Sequence, residues 1–351
     1  VSKIFTQQLL RWNELENTRE MPWKGKKDPY LIWLSEIILQ QTRVEQGLPY
    51  FERFIKQYPK VENLADAPED EVMKLWQGLG YYSRARNLHF TAKYITENYK
   101  GKFPKTFAEL RELKGVGDYT AAAIASFAFG ENVAVVDGNV IRVLSRVFGV
   151  ATPFDTTAGK KEFAQLAQSL TDSKNIAAYN QSIMDFGAVV CTPRAPKCED
   201  CPFQKQCVAY TTEAITNYPV RAKKTLVTER FFNYFIIKNK TSILVEKRVA
   251  KDIWQNLYQF PLIETDKVIN KQFDKLAERF LGHKKFTIKS VADPQTQLLS
   301  HRKMNFRFIE IELKDWLPLL DSMYEKVDLK ELSKLAFPRT LHLYLKENQL
   351  I

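Results

Sequence analysis

"CTPRAPKCEDCPFQKQC", residues 191–207, holds all four cysteines of a 351-residue chain. Three uses of four thiols in so short a run compete. Disulfides belong mainly to secreted proteins, and bridges inside a short loop add little to a domain that already has a large core. Zinc is the stronger rival, because Cys198 and Cys201 form a C-x2-C pair. Zinc sites usually join two such close pairs, whereas the outer spacings here are six and five. A single contiguous C-x6-C-x2-C-x5-C run suits four thiolates wrapped around a larger object, such as a cubane iron–sulfur cluster. Spacing favours the cluster and leaves zinc open. Arg194, Lys197 and Lys205 in the same loop either solvate it or offset the thiolates and grip phosphates.

The rest of the chain supplies the setting for that loop. Its length favours two domains. With 45% hydrophobic and 26% charged residues, it has the composition of an ordinary globular protein. No run of eighteen apolar residues occurs, so no membrane span is expected. The N-terminal "VSKIFTQQLLRWNELEN" is an amphipathic pattern broken by charge rather than a secretory signal. Lys and Arg outnumber Asp and Glu by 52 to 41, and the net charge of +11 favours a polyanionic partner.

From residue 2 to about 208 the apolar spacing is helical, cut by Pro22, Pro29, Pro59, Pro68, Gly101, Pro104, Gly130, Gly149 and Pro153. "TFAELREL" opens with a capping box, Thr106 facing Glu109. After it come "KGVG" and a small-residue helix, "DYTAAAIASFAFG", ending at Gly130. In such a helix–Gly-x-Gly–helix unit the glycines permit close approach to a phosphate, and the second helix offers free N–H groups to the anion. A plain αα-hairpin has the same pattern.

Two carboxylates stand out. Glu36 is the lone carboxylate of "PYLIWLSEIILQQT", residues 29–42, a helix apolar on nearly every side and therefore buried. Burial should raise its pKa, which is what a general acid at neutral pH requires. The plainer reading is a buried Glu paired with an Arg. Asp137, in "VAVVDGNVIRVLSRVFG", precedes a new helix and reads as an N-cap, a place where helix N–H groups should keep it ionised. A protonated carboxyl opposed by an anionic one is the pattern of glycosidic bond cleavage.

These segments together resemble the helix-hairpin-helix DNA glycosylases, in the endonuclease III and MutY branches. The resemblance implies an all-α glycosylase domain whose cysteine loop holds a [4Fe–4S] cluster through Cys191, Cys198, Cys201 and Cys207. It implies a DNA-binding hairpin over 113–117, with Gly115, Val116 and Gly117 at the phosphate and a cation held by hairpin backbone. Glu36 matches the proton donor to adenine, Asp137 the shared aspartate, and Asn139 its neighbour near the sugar. Gln41 matches the residue that wedges into the stack when the base is flipped, and Tyr81 a residue inserted beside the opposite base. Arg19 and Trp23 match residues of the adenine pocket. Tyr119 occupies the site of a strand-cleaving lysine. A phenol cannot form the Schiff base that lyase chemistry needs, so base removal without strand scission is implied.

After Cys207 the pattern changes. Residues 218–229 read as a linker between a helical domain over 1–217 and an α+β domain over 230–351. "RFFNYFIIKNKTSILVEKR" reads as a hairpin of two strands. "KQFDKLAERFLG" reads as a helix, "KKFTIKSV", "TQLLSH" and "MNFRFIEIEL" as strands, and "DLKELSKLAF" as a terminal helix. "IWQNLYQFPLIE", residues 253–264, resembles the opening of the MutT-like (Nudix-like) domain of adenine glycosylases, without the Glu-rich metal box of nucleotide hydrolysis. The implied role is recognition of 8-oxoguanine, with Ser300 and His301 of "LSH" at the lesion. The expectation is therefore a monomeric, cytoplasmic, nucleoid-associated (if bacterial) glycosylase that excises adenine opposite 8-oxoguanine or guanine in double-stranded DNA. The rival expectations are a thymine or uracil mismatch glycosylase and a zinc-stapled DNA-binding protein without activity.

Overall fold

The breakers and caps read above end helices where the chain needs free N–H and C=O groups satisfied. A computed structural model describes residues 2–222, 226–282, 286–299, 301–313, 320 and 324–351. Residues 1–66 and 87–224 form one compact unit, and residues 67–86 and 225–351 form a second. Residues 67–86, inside the expected 1–217 domain, thus pack with the C-terminal part.

The first unit is helical. Its elements are α1 (Ser2–Leu15), α2 (Pro29–Leu39), α3 (Val44–Gln57) and α4 (Val61–Asp66), then, after α5 (Glu69–Leu75) of the second unit, α6 (Ser83–Tyr99), α7 (Phe107–Arg111) and α8 (Asp118–Phe129). They are followed by α9 (Gly138–Phe148), α10 (Thr157–Ser169), α11 (Ile176–Val189) and α12 (Val208–Thr211). Helix α6 crosses the division, its first residues belonging to the second unit. One core joins Phe5, Leu9 and Trp12 of α1 to Val143 and Leu144 of α9, Ile183 and Phe186 of α11, and Phe203 of the cysteine loop. Helix α2 starts at Pro29, with Asp28 accepting from the Tyr30 N–H at 2.9 Å. Its apolar circumference is buried between α3 and α8, as expected of a helix without a polar face. The capping box of Thr106 and Glu109 opens α7, and Gly130 closes α8 at φ 71°. Between α7 and α8 the hairpin turns through Gly115 at φ +83°, where a Cβ would stand 2.7 Å from that of Asn87. Only glycine fits there.

The second unit is a mixed sheet with a helix on each face. Its strands are β1 (Thr228–Lys238), β2 (Ser242–Lys247), β3 (Tyr258–Gln259), β4 (Leu262–Thr265), β5 (Thr287–Val291), β6 (Gln295–Leu299), β7 (Arg302–Glu312) and β8 (Glu325–Asp328). The order is β3-β2-β1-β7-β5, with β4 on β1, β6 on β7 and β8 on β2. The hairpin read from the sequence is β1–β2, antiparallel with Lys238 opposite Ile243. Parallel β1 and β7 form the centre, with Phe232 opposite Phe306. Side chains of β1 alternate: Phe232, Tyr234 and Ile236 pack with α14 (Arg339–Glu347), while Phe235 and Ile237 pack with α13 (Phe273–Leu281).

The terminal helix is displaced from expectation. "DLKELSKLAF" makes only a 3-10 turn over Leu329–Lys334, and the α-helix starts after Pro338. Asp328 accepts from the Lys330 N–H at 2.9 Å and closes that tight turn, while Pro338 stands at the N-cap of the helix proper. Within the same unit, Lys74 donates to the Leu335 carbonyl at 2.9 Å and Arg86 to the Gln255 carbonyl at 2.7 Å. These bonds tie residues 67–86 to the sheet side. No helix among the described residues is long and apolar enough to cross a membrane.

Candidate active site

Helix α2 delivers Glu36 to the wall of a cleft of about 510 Å3 inside the first unit. The cleft is also lined by Tyr119, Asp137, Asn139, Gln41, Arg19 and Trp23. Seven residues singled out in the sequence, scattered over about a third of the chain, meet in one cavity.

Glu36 is 8% exposed. Burial is the largest influence on its carboxyl, and the nearby Asp137 charge adds to it, pushing the pKa up to about 7. The Tyr119 hydroxyl opposes this by hydrogen bonding to the carboxyl, and also reaches Met184 Sδ at 3.4 Å. The alternative of a Glu neutralised by an Arg is not what the cavity contains: the influences on Glu36 are burial, a phenol and a second carboxylate.

Asp137 caps α9, accepting from the Val140 N–H at 2.8 Å. Asn139 Nδ2 donates to its other oxygen at 2.7 Å. The helix terminus was expected to keep it ionised, and the cleft works against that. Burial in the cleft outweighs these donors, and its pKa is raised, with Val140, Asn139 and Arg142 pulling back toward the anion. The two carboxyls therefore differ in their donors. Glu36 receives a phenol bond, whereas Asp137 receives backbone and amide bonds backed by a guanidinium.

Several residues of the site were not legible in the sequence. Arg142, buried on α9, donates to Asn139 Oδ1 at 2.8 Å, to the Gly187 carbonyl at 2.6 Å and to the Cys191 carbonyl at 2.7 Å. Its neighbour Arg146 donates to the carbonyls of Thr192 and Pro193 at 2.8 and 3.0 Å and reaches Cys191 Sγ at 3.5 Å. Asn139, Arg142 and Arg146 are spaced as one helix face, which was the available signal. Gly187 permits this packing: a Cβ there would stand 2.7 Å from Asn139 Cβ. Gln181 and Met184 of α11 also line the cleft. Arg19, whose plainer reading was surface charge, is tied to fully buried Asp185 at 2.7 Å. Trp23 packs edge-on against Phe51 with centroids 5.0 Å apart.

Gln41 follows α2 at φ +55° and is exposed at the cleft rim. A left-handed glutamine costs free energy and is held by its surroundings. Tyr81, in the second unit, also has positive φ (47°) and is 46% exposed, so it is not the core aromatic of the plainer reading. In the hairpin, Val116 is buried while Gly115 and Gly117 are exposed. His301 is an exposed turn residue whose carbonyl accepts from the Thr228 N–H at 2.9 Å. Ser300 lies outside the described residues.

The four thiols lie within electrostatic reach of one another. Cys191, Cys198 and Cys207 each push up the pKa of Cys201, which burial raises first and which reaches about 12. Cys191, Cys201 and Cys207 pack against the Phe203 core. Among the described residues no group of three or more His, Cys, Asp or Glu is gathered as for one metal ion. A half-buried set of four mutually repelling thiols beside a guanidinium fits a group that takes four thiolates and carries its own positive charge.

Residues 34–171 match the HhH-GPD superfamily of base excision DNA repair proteins, and residues 233–347 match a NUDIX domain. The chain is 37% identical over 262 residues to an adenine DNA glycosylase of Buchnera aphidicola subsp. Schizaphis graminum, covering 75% of this chain and 76% of that one. To the mouse adenine DNA glycosylase it is 42% identical over 215 residues, 59% of this chain and 42% of the relative. Among solved structures, a thermostable thymine-DNA glycosylase superposes with a TM-score of 0.56 at 32% identity, covering 60% of this chain and 97% of that one.

Proposed function

The chain belongs to the adenine DNA glycosylases, hydrolases of base excision repair, and on that premise we propose a mechanism, a substrate and a cofactor. The substrate is adenine opposite 8-oxoguanine or guanine in duplex DNA. The observation that carries the mechanism is Glu36, a carboxyl with a pKa of about 7, sharing one cleft with Asp137.

The flipped adenine enters the cleft lined by Trp23, Arg19 and Tyr119, since the glycosidic bond cannot be reached within the stack. Gln41 fills the space left in the duplex. Glu36 gives its proton to a ring nitrogen of adenine, and the C1′–N9 bond breaks with its electron pair leaving on the base. The oxocarbenium-like sugar is steadied by the Asp137 carboxylate, which Asn139 and Val140 hold in place. Water adds to C1′ and its proton returns to Glu36. Tyr119 orients Glu36 and offers no amine, so no Schiff base forms and the strand stays intact.

Cys191, Cys198, Cys201 and Cys207 would hold a [4Fe–4S] cluster, which supplies a rigid brace for the loop rather than bond cleavage. Backbone N–H groups of Gly115, Val116 and Gly117 would face a DNA phosphate, and hairpin carbonyls would hold a cation. Tyr81, Ser300 and His301 are assigned to the lesion side.

The decisive assay scores free adenine from an A:8-oxoG duplex, with A:G and T:G duplexes alongside and strand scission measured on each. Adenine release without scission is expected. Thymine release from T:G without adenine release would overturn the substrate. Zinc in place of iron, with no visible absorption, would overturn the cluster.

A further inference from the structure

We propose that Asp185 is a positioning residue that fixes the base-selecting wall of the cleft by holding Arg19 and Gln181 in one orientation. The inference rests on the adenine-release reading above. Asp185 lies on α11 with 0% of its side chain exposed, and it does not line the cleft. Four donors converge on its carboxylate. Arg19 Nη1 and Gln181 Nε2 meet Oδ1 at 2.7 and 3.0 Å. Asn17 Nδ2 and Lys24 Nζ meet Oδ2, both at 2.9 Å. A carboxylate this deep is stable only when its charge is matched and its lone pairs are filled; here two cations and two amides do both.

The consequence for the cleft follows from what the donors have left. Residues 17–21 have no regular secondary structure, so side chains set their course. Lys24 Nζ also donates to the Arg19 carbonyl at 2.7 Å, and the Arg19 N–H to Asn17 Oδ1 at 3.1 Å. Arg19, itself part of the cleft wall, spends Nη1 on Asp185, which fixes the place of its guanidinium. Gln181 spends its amide nitrogen, which leaves its carbonyl oxygen as the acceptor on that wall. A fixed acceptor beside a fixed cation suits a base bearing an exocyclic amino group and leaves unmatched groups against a base without one.

The test compares single-turnover release of adenine and of unsubstituted purine, which lacks the amino group, from otherwise identical 8-oxoguanine duplexes. Asp185→Asn keeps the shape and removes the charge. It is expected to lower the adenine-to-purine rate ratio about tenfold or more relative to wild type. The apparent pKa of its residual adenine release should stay at the wild-type value, because Glu36 is untouched. Lys24→Met removes one cation that is 25% exposed and absent from the cleft lining; it should shift the ratio in the same direction. That variant decides the matter if Asp185→Asn fails to fold by thermal melting. An unchanged ratio in the folded variant overturns the proposal, and so does an equal loss on both substrates, which would make Asp185 a stability residue only. A wild-type protein that releases neither base defeats the functional reading itself, an outcome distinct from these.

Discussion

Replacing Glu36 by Gln should sharply lower turnover and stabilise the protein in the same stroke, because the carboxyl is held where its charged form is disfavoured. Its pKa rises from 4.5 to about 7 on folding, chiefly through burial. Below pH 4.5 both folded and unfolded chains carry the proton, and nothing is lost. Between 4.5 and 7 the unfolded chain ionises while the folded one does not, so stability falls as pH rises. Above 7 the full cost is present. At about 1.36 kcal/mol per pKa unit, that cost is about 1 kcal/mol at pH 5 and about 3 kcal/mol at pH 8. Glutamine cannot ionise and still accepts the Tyr119 hydroxyl. Denaturant unfolding of the helical unit should therefore show Glu36→Gln more stable than wild type at pH 8, with most of the gain gone at pH 5. Adenine release should fall by about 10²–10⁴-fold. A variant no more stable than wild type at pH 8, or a gain equal at both pH values, would refute the buried-acid argument even if activity were lost.

Tyr119→Phe removes the hydrogen bond that opposes the rise in Glu36. The alkaline limb of the pH–rate profile should move to higher pH, and a shift to lower pH would contradict the assignment. Arg142→Leu strips the donor shared by Asn139 Oδ1 and the Cys191 carbonyl. It should cost roughly 3 kcal/mol or more for the buried partners left unmade and lower both adenine release and iron per chain, measured by elemental analysis; loss of only one would uncouple the two sites. Gly187→Ala places a Cβ 2.7 Å from Asn139 Cβ. A thermal melt should register a loss of about 1–3 kcal/mol, with adenine release reduced more than duplex binding.

Much of this site was legible because its chemistry violates the local pattern. A single carboxylate in an apolar helix and an aspartate before an abrupt helix start both stand out against their segments, and both reach the cleft. The helix boundaries at Pro29, Thr106 and Gly130 followed from breaker and capping chemistry that acts within four residues. What the sequence hid was long-range. Asp185 reads as an ordinary helical residue, and nothing local announces that Asn17, Arg19 and Lys24 will find it across more than 160 positions. The grouping of residues 67–86 with the sheet depends on carbonyls such as those of Gln255 and Leu335, which have no sequence signature. The terminal helix was placed too early because Asp328 starts a competing 3-10 turn.

Helix α9 links the cysteine loop to the candidate active site. Its first turn holds Asp137 as cap, and the same helix carries Asn139, Arg142 and Arg146 toward residues 187–193. The chain of bonds runs from Asp137 Oδ2 to Asn139, from Asn139 to Arg142, and from Arg142 to the Cys191 backbone. Each amide and guanidinium in it has one orientation that satisfies both neighbours, so the chain transmits position rather than charge. If the loop shifts, Arg142 must abandon either Cys191 or Asn139, and leaving either buried group unmade costs about 1–3 kcal/mol. Asp137, the anion proposed to steady the sugar, is thus anchored through this chain of bonds to the fold of the cysteine loop. A cluster held there by the four thiolates, as proposed, would keep the first turn of α9 from moving.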